Sequence, residues 1–300
     1  MNLELPMCLL NWIDKDKLGW DWLSRNPNAI DLLKENFDKI DWLMLSSNPN
    51  AIDLLKENPD KINWRYLSQN PNAIDLLKAN PDKINWDYLS SNPNAIDLLK
   101  ENPDKINWFY LSQNPNAIDL LKENPDKICW YYLSFNTNAE AIDLLKAHPD
   151  KIHWIYLSKN PNAIELLKEN PDEIDWFQLS RNPNAIDLLK ENPDKIDWCY
   201  LSQNPNAINL LKENPDKIHW SSLSYNSSID ALQLLKENLD KMYCSNLFQN
   251  PNIFTYDYEK MRENMLLFKE DLMKDRFHPR NLRKFGSWGH DGGIDDDDDE

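Results

Sequence analysis

The feature that most constrains this chain is a repeat of 22 residues. Tryptophans mark the repeat, at positions 20, 42, 64, 86, 108, 130, 154, 176, 198 and 220. Successive tryptophans are 22 residues apart, except for one gap of 24. A fixed period of this size is typical of proteins whose units stack in one dimension. The chain of 300 residues is therefore predicted to grow as one stack instead of two globular domains.

Each unit is predicted to contain two short helices. In the unit that begins at Asn70, this asparagine is the expected N-cap, and the first helix presents an apolar face made of Ala73, Ile74, Leu76 and Leu77. The helix must end before Pro81, because proline disfavours the α conformation in the residue that precedes it. Asn85 is then expected to cap a second, shorter helix over residues 86–90, α-helical or partly 3₁₀.

One unit buries too few apolar side chains to fold alone, so neighbouring units must supply the remaining burial. We predict an all-α solenoid of about eleven two-helix repeats of 22–24 residues, capped at both ends. The predicted parts are an N-terminal cap, a helical repeat solenoid, a C-terminal capping helix with a basic-aromatic box, and a flexible acidic tail, at residues 1–19, 20–250, 251–285 and 286–300. The capping helix takes its apolar face from Tyr258, Met261, Met265, Phe268 and Leu272.

Two units depart from the pattern, at residues 136–142 and 226–232. Both have extra residues and lack the proline that follows the asparagine elsewhere. We expect a longer first helix in each. Such a helix either changes the local step of the stack or is a tolerated insertion without functional meaning.

Charge and cysteine content narrow the class of protein. The net charge of −17 argues against nucleic acid or an anionic membrane as the main partner, because both require clustered lysine and arginine. The four cysteines form no CxxC pair, which favours a reducing compartment. The N-terminus has no basic start followed by a long apolar run, and no stretch approaches the length of a membrane span. We expect a soluble intracellular protein.

The residues that could carry chemistry are better explained as structure. Aspartates recur at one position, but each has a lysine three residues later in every unit, as on a repeated solvated surface, at Asp53, Asp75, Asp97 and Asp119. Cys129 and His153 occupy the same position in adjacent units, yet two ligands do not make a zinc site. The tryptophan column is predicted to pack in the core and not to bind stacked ligands. No phosphate loop, nucleophile elbow or HExxH motif is present. We therefore predict no enzyme, no cofactor and no metal.

The informative residues are those that vary within the repeated frame. The position after each tryptophan becomes large and apolar in four successive units, and the next position forms a tyrosine column. If the first column faces solvent, it makes a stripe of the size expected for a partner site. The alternative is that these residues pack between the short helices or in a self-association contact. The candidate partner-binding residues are Phe109, Tyr131, Phe135, Ile155, Phe177, Tyr110, Tyr132 and Tyr156.

Near the C-terminus, a basic-aromatic box precedes a run of acidic residues. The box includes Arg280, Arg283 and Lys284, and the chain ends in residues 295–300, which are all acidic. The box either pairs with this tail or docks an acidic partner.

The unit NPNAIDLLKENPDKINWxYLSQ resembles the short Asn-Pro-Asn-Ala-Ile repeats of giant, mimivirus-like DNA viruses. The segment FHPRNLRKFGSWG at 277–289 looks like the Phe-His-Pro box that closes several of their proteins. The alternation of helices is similar to that of the leucine-rich repeat variant, a superhelix of α and 3₁₀ helices. The resemblance implies an intracellular viral protein, in the host cytoplasm, the viral factory or the virion. Asn136 and Asn226 lose the proline of the family pattern, so regular stacking is not assured there.

Three hypotheses for function follow. The first is a non-enzymatic scaffold that binds a protein or peptide along the variable face. The second is a structural protein that assembles with itself in the virion or viral factory. The third is an acidic carrier of basic nucleic-acid-binding proteins, which itself binds neither nucleic acid nor membrane.

Overall fold

The computed structural model describes residues 5–276, and these are mostly helical. The first helices of the units are Ile30–Glu35, Ile52–Glu57, Ile74–Lys78, Ile96–Lys100, Ile118–Glu123, Ala139–Ala147, Ile164–Glu169, Ile186–Glu191, Ile208–Glu213 and Ile229–Glu237. The second helices are Trp20–Arg25, Trp42–Leu45, Trp64–Ser68, Trp86–Ser90, Trp108–Ser112, Trp130–Leu133, Trp154–Lys159, Trp176–Ser180, Trp198–Gln203, Trp220–Leu223 and Cys244–Leu247. The predicted periodic arrangement of short helices is confirmed.

The 3₁₀ turns lie between the helices and not within the second helix, which is α-helical. Most connect a first helix to a second one, at Phe37–Lys39, Pro59–Lys61, Pro81–Lys83, Pro103–Lys105, Pro125–Lys127, Pro149–Lys151, Pro171–Glu173, Pro193–Lys195, Pro215–Lys217 and Leu239–Lys241. Others are Lys15–Lys17, Pro27–Ala29, Pro115–Ala117, Pro161–Ala163 and Pro251–Ile253. Of the two alternatives that the sequence left open for the second helix, the structure has the α-helical one. Proline fixes φ at the start of a turn, which favours the tight 3₁₀ conformation there.

Of the two predicted helix caps, one is confirmed and the other lies before a turn instead of directly before its helix. The side chain of Asn85 accepts a hydrogen bond from the backbone N–H of Tyr88 at 3.0 Å, as a cap of the second helix should. Asn70 accepts from the backbone N–H of Asn72 at 3.0 Å, but the α-helix begins only at Ile74. The Asn-Pro-Asn segment is therefore a turn that precedes the first helix instead of its first turn.

The core consists of alanine, leucine and isoleucine, while the tryptophans are only half-buried. Leu77 and Leu89 are fully buried in the unit that contains them. Five of the indoles lie beneath a lysine of the next unit, as with the Nζ of Lys83, 4.8 Å from the ring centroid of Trp64. The tryptophans thus pack between neighbouring units at the edge of the core, and the prediction of core residues is right only in part.

A ladder of buried asparagines joins the units. Asn70 is fully buried, and its side-chain Nδ2 donates to the carbonyl of Asn48 at 2.8 Å and to that of Ser46 at 3.2 Å. Ser68 is also fully buried; its hydroxyl donates to the carbonyl of Trp64 and accepts from the N–H of Asn85. The ladder asparagines are Asn26, Asn48, Asn70, Asn92, Asn114, Asn136, Asn160, Asn182, Asn204, Asn226 and Asn250. The sequence analysis identified Asn70 only as a cap, and missed its bonds to the preceding unit.

The ladder continues through both longer units. Asn136 donates to the carbonyls of Ser112 and Asn114 at 2.9 and 3.0 Å, and Asn160 donates to that of Asn136 at 2.7 Å. Both longer units have the longer first helix that we predicted, of 9 residues, at Ala139–Ala147 and Ile229–Glu237. Loss of the proline therefore does not interrupt the bonds between units.

The first unit bonds to the last one. Residues Leu9–Thr255 form one compact unit, and the described residues on either side of it belong to a second. Within Leu9–Thr255, Asn26 donates to the carbonyls of Phe248 and Asn250, both at 3.1 Å. The ladder asparagines from Asn48 to Asn226 make the same two bonds to the unit before, and Asn250 donates to the carbonyl of Asn226. The ladder is therefore a closed circuit of hydrogen bonds. We predicted a stack with a cap over each of two open ends. Along the ladder, the first and last units are instead bonded to each other.

Residues outside the ladder also join the first unit to the last one. Asn28 donates to the carbonyl of Pro251 at 2.9 Å, just as Asn50 donates to that of Pro27. Gly19 lies so close to Phe248 that a Cβ there would stand 3.1 Å from its Cδ2 atom. The first and last units are thus in direct contact.

The chain segments outside the repeats include the only strands among residues 5–276. Met7–Leu9 pairs with Phe254–Tyr256 in a two-stranded sheet. A helix follows at Tyr258–Arg276, and in it Tyr258 and Met265 are exposed, so this part of the apolar face that led us to predict a cap is not buried. The basic-aromatic residues from 277 onwards and the acidic tail lie outside the described residues.

Candidate partner-binding surface

The column after tryptophan faces solvent in all four of the large apolar units. Phe109 and Phe177 are 61% and 60% exposed, and Tyr131 and Ile155 are also exposed. The local fold explains this orientation, because the second helix buries Leu111 in the core and keeps Trp108 half-buried, which leaves Phe109 on the outer side. The condition on which we predicted a partner site is therefore met.

Six of the eight predicted residues form one network of ring contacts, which we call the aromatic cluster: Phe109, Tyr110, Tyr131, Tyr132, Phe135 and Tyr156. Tyr132 lies at its centre, with ring centroids 6.2 Å from Phe109 and 5.1 Å from Tyr131. Most contacts are edge-to-face, the arrangement that aromatic quadrupoles favour. The cluster therefore has its rings positioned before any partner arrives.

Two predicted residues lie outside this network. Ile155 is exposed and follows Trp154 in the longer unit. The ring of Phe177 lies 6.2 Å from that of Tyr200. The stripe thus consists of a connected aromatic cluster and two further exposed side chains.

A hydrogen bond between two tyrosines fixes the middle of the aromatic cluster. The hydroxyls of Tyr131 and Tyr156 are 2.6 Å apart. This bond, with desolvation as a smaller cause, raises the pKa of the Tyr131 phenol. Both rings therefore carry a polar group at their outer edge, which suits a contact that is partly apolar and partly hydrogen-bonded.

His153 is a member of this surface that the sequence analysis considered only as a metal ligand. Its ring lies 4.6 Å from that of Tyr131 and 4.9 Å from that of Tyr156. Its Nδ1 is buried without a hydrogen-bond partner. At the equivalent position Asn107 caps its helix by accepting from Phe109 and Tyr110. The signal in the sequence was a histidine at a position usually held by asparagine or aspartate.

The tyrosine column extends the surface towards the N-terminus. Successive rings from Tyr66 to Tyr132 lie 6.0, 6.2 and 6.4 Å apart. The guanidinium of Arg65 lies 4.7 Å from the centroid of Tyr88. A continuous aromatic row, with charge at Arg65 and Asp87 on its outer side, borders the apolar stripe.

Neither a cluster of metal ligands nor a helix that could span a membrane is present among the described residues. Within residues 5–276, no group of three or more His, Cys, Asp or Glu side chains is arranged to hold a metal ion. Cys199 Sγ lies 3.7 Å from His219 Nδ1 and 3.1 Å from Ser222 Oγ, a pair that the sequence analysis missed. The aspartate column is exposed where it pairs, as in the 3.4 Å contact of Asp53 with Lys56. None of the helices in the described range combines the length and apolarity that crossing a bilayer requires.

Comparison with known proteins adds no assignment. No family model, curated protein or solved structure matches this chain.

Proposed function

We propose that this protein is a non-enzymatic scaffold that binds a protein or peptide partner along the exposed stripe from Phe109 to Phe177. The observation that carries the proposal is the exposure of large apolar side chains in consecutive units of a frame whose buried positions hardly vary. Folding does not require such side chains there, because the equivalent positions hold Asp21, Asp87 and Ser221 in other units. Contiguous exposed aromatic residues are typical of interaction sites.

The frame that we propose is a solenoid of the giant-virus repeat type, with the closed circuit of asparagine bonds holding the units in register. The partner would contact the aromatic cluster first, because tyrosine and phenylalanine give large contact area at a low cost in side-chain entropy. Tyr131 and Tyr156 offer hydroxyls at the edge of that contact. The proposal places the protein inside an infected cell, as the resemblance implies.

The test is affinity capture with two matched variants. Phe109→Asp with Phe177→Asp changes the stripe, and Leu43→Asp with Ser221→Asp adds the same charge to the same column outside it. We expect the first pair to lose a protein that both the wild type and the second pair retain, with melting temperatures unchanged. Retention of every captured protein by the stripe variant would contradict the proposal.

Self-assembly is the second candidate, and the same exposed stripe favours it. A self-complementary patch pairs with its own copy in a two-fold dimer. Sedimentation velocity at increasing concentration separates the two functions. A dimer that the Phe109→Asp and Phe177→Asp changes dissolve would favour assembly, and a monomer at every concentration would count against it. The acidic-carrier hypothesis rests on net charge and on residues outside the described range, and it remains the weakest of the three.

A further inference from the structure

A cavity of about 430 Å³ lies within Leu9–Thr255, and no residue of the exposed column after tryptophan is in its lining. Six successive units supply its lining from one repeat position, the residue after the ladder serine, together with Thr137: Arg25, Ser47, Gln69, Ser91, Gln113 and Phe135. Each of these residues stands between a serine and an asparagine of the buried ladder. The ladder therefore fixes the backbone from which the lining side chains extend. Of the eight predicted partner-binding residues, the lining contains Phe135 alone.

The charge at this repeat position is opposite to that of the chain. The eleven units place here Arg25, Ser47, Gln69, Ser91, Gln113, Phe135, Lys159, Arg181, Gln203, Tyr225 and Gln249. Three of these residues are basic and none is acidic, in a chain with 50 acidic and 33 basic residues. Within residues 5–276, the ion pairs use other lysines, so the three cations have no carboxylate partner in this range. An acidic ligand would supply the missing counter-charge.

Lys159 lies beside the wall of the cavity, and Arg181 is near enough for its charge to act on Lys159, while its guanidinium lies 5.1 Å from the ring centroid of Tyr200. The Nζ of Lys159 is 4.7 Å from the ring centroid of Phe135, which lines the cavity. Burial, and to a smaller extent the neighbouring charge of Arg181, lowers the pKa of Lys159. A carboxylate placed between Lys159 and Arg181 would oppose both causes of the lowered pKa, because it would stabilise the two positive charges in a partly desolvated environment.

The uncharged lining residues suit a peptide backbone. The side-chain amides of Gln69 and Gln113 make no hydrogen bond to any described residue. The hydroxyls of Ser47 and Ser91 donate to the carbonyls of Met44 and Tyr88, which leaves their lone pairs free to accept. Amide groups both donate and accept, so they can bond the N–H and C=O groups of an extended chain, whereas a simple anion uses donors only.

We propose that this cavity binds an extended acidic peptide, with one carboxylate on Arg25 and its backbone on Gln69 and Gln113. The peptide continues past Phe135, where its further carboxylates meet Lys159 and Arg181 at the same repeat position of the next two units. The site shares Phe135 with the aromatic cluster but takes a ligand of different chemistry. The stripe offers aromatic rings to an apolar partner, while the cavity offers cations and amides. The same chain would thus hold two partners at once.

The test is a fluorescence anisotropy titration of the full chain with a short labelled peptide of alternating glutamate and serine. The cavity variant is Arg25→Gln, Lys159→Gln and Arg181→Gln. Its matched control is Lys78→Gln, Lys100→Gln and Lys190→Gln, which removes the same charge from exposed first helices. We expect the cavity variant to bind at least about tenfold more weakly and the control to change less than about threefold. The stripe variant with Asp at 109 and 177 should bind the peptide as the wild type does.

Three results would overturn the proposal: no binding by the wild type at millimolar peptide, equal weakening in both charge variants, or equal binding of a peptide with glutamine in place of glutamate. Displacement of the peptide by an equal concentration of inorganic phosphate would reject a peptide site in favour of a simple anion site. Should the cavity variant fail to fold, Gln69→Glu with Gln113→Glu tests the same site. That pair adds negative charge at half-buried positions and should weaken binding by a similar factor.

Discussion

The asparagine ladder and the column after tryptophan are the two extremes of this repeat. Every ladder position holds asparagine, and each of these residues is at most 3% exposed. The column after tryptophan holds Asp21, Arg65, Phe109 and Cys199 among others, and it includes side chains that are 60% exposed or more. The difference shows which positions the fold restricts. A buried group that donates to two carbonyls and accepts one N–H must be an amide, and glutamine is one methylene longer than asparagine, whereas an outward side chain is under no such restriction.

Breaking the ladder in its middle should have the largest effect. Asn114→Ala removes two bonds to the preceding unit, at 3.1 and 2.9 Å, and the 3.0 Å bond that holds its own turn. The carbonyl of Ser90 loses its bond from the amide, while that of Asn92 keeps the bond from the N–H of Ala95 at 3.1 Å. We expect the free energy of unfolding to fall by about 2–4 kcal/mol. Urea denaturation measures this, with Gln113→Ala as the control. A loss below about 1 kcal/mol would show that the ladder contributes little.

Breaking the ladder at its closure should cost nearly as much. Asn26 makes the same kinds of bonds as Asn114, but to units that are more than 200 positions away in the chain. If the circuit is closed in solution, Asn26→Ala should also lose about 2–4 kcal/mol in urea denaturation. In an open stack the amide of the first unit would bond water, and the substitution would remove only the 3.0 Å bond from the N–H of Asn28, so the loss would be about 1 kcal/mol or less. The ratio of the two losses therefore measures closure directly.

The serine rung of the ladder should give a smaller effect. The Ser68 hydroxyl donates to Trp64 at 2.7 Å and accepts from Asn85 at 3.0 Å. Ser68→Ala keeps the shape but removes both bonds, and we expect a loss of about 1–2 kcal/mol. Ser91→Ala, at a half-buried position outside the ladder, is the control in the same urea experiment. Equal losses from both variants would argue against a special role for the buried serine.

A change in the exposed column should leave stability almost untouched. Phe109 is 61% exposed, so Phe109→Asp removes little buried surface, and we expect a change within about 0.5 kcal/mol. Thermal unfolding followed by circular dichroism is the measurement, with Leu111→Asp as the buried comparison at the same helix. A large loss at Phe109 would mean that the stripe is part of the fold and not available to a partner.

The smallest effect concerns the titration of one tyrosine. The hydrogen bond to Tyr156 raises the pKa of Tyr131, so Tyr156→Phe should lower that pKa towards the ordinary value of about 10. In the wild type the bond favours the folded state below the pKa of the unfolded tyrosine, and this contribution is lost as the pH rises through the folded pKa. The difference between ultraviolet titrations with and without Tyr131→Phe isolates the residue. An unchanged Tyr131 titration in the Tyr156→Phe background would show that the bond is absent in solution.

The helices were predictable because their determinants are local. Asn85 caps and Pro81 starts a turn wherever the chain goes next, so period and composition were sufficient to place both helices of the unit. The sequence also indicated that Phe109 faces solvent, because charged residues such as Arg65 and Asp87 hold the same column in other units. The longer helix at Ala139–Ala147 followed from its missing proline.

Other features depend on contacts between units and could not be read from one unit alone. The bond from Asn26 to Asn250 joins residues 224 positions apart, and it depends on how much each unit turns relative to the previous one. A repeated sequence does not specify that turn. The meeting of Tyr131, His153 and Tyr156 depends in the same way on the register of neighbouring units. The constancy of asparagine in all eleven units was a signal of the ladder, and reading it only as a helix cap concealed its second role.

The closure has a consequence for how a gene of this kind can change. Nearly identical repeats allow unequal recombination, which adds or deletes whole units. In an open array a lost unit shortens the molecule and leaves every remaining junction as it was. Here, deletion of one unit would leave Asn26 without the carbonyls of Phe248 and Asn250 at the present distance unless every junction adjusted. The bonds of Asn26 therefore depend on the number of units, because an array with one unit more or one fewer would not form them and would be less stable. Selection on stability alone would then hold the number of units constant, even while recombination keeps their sequences alike.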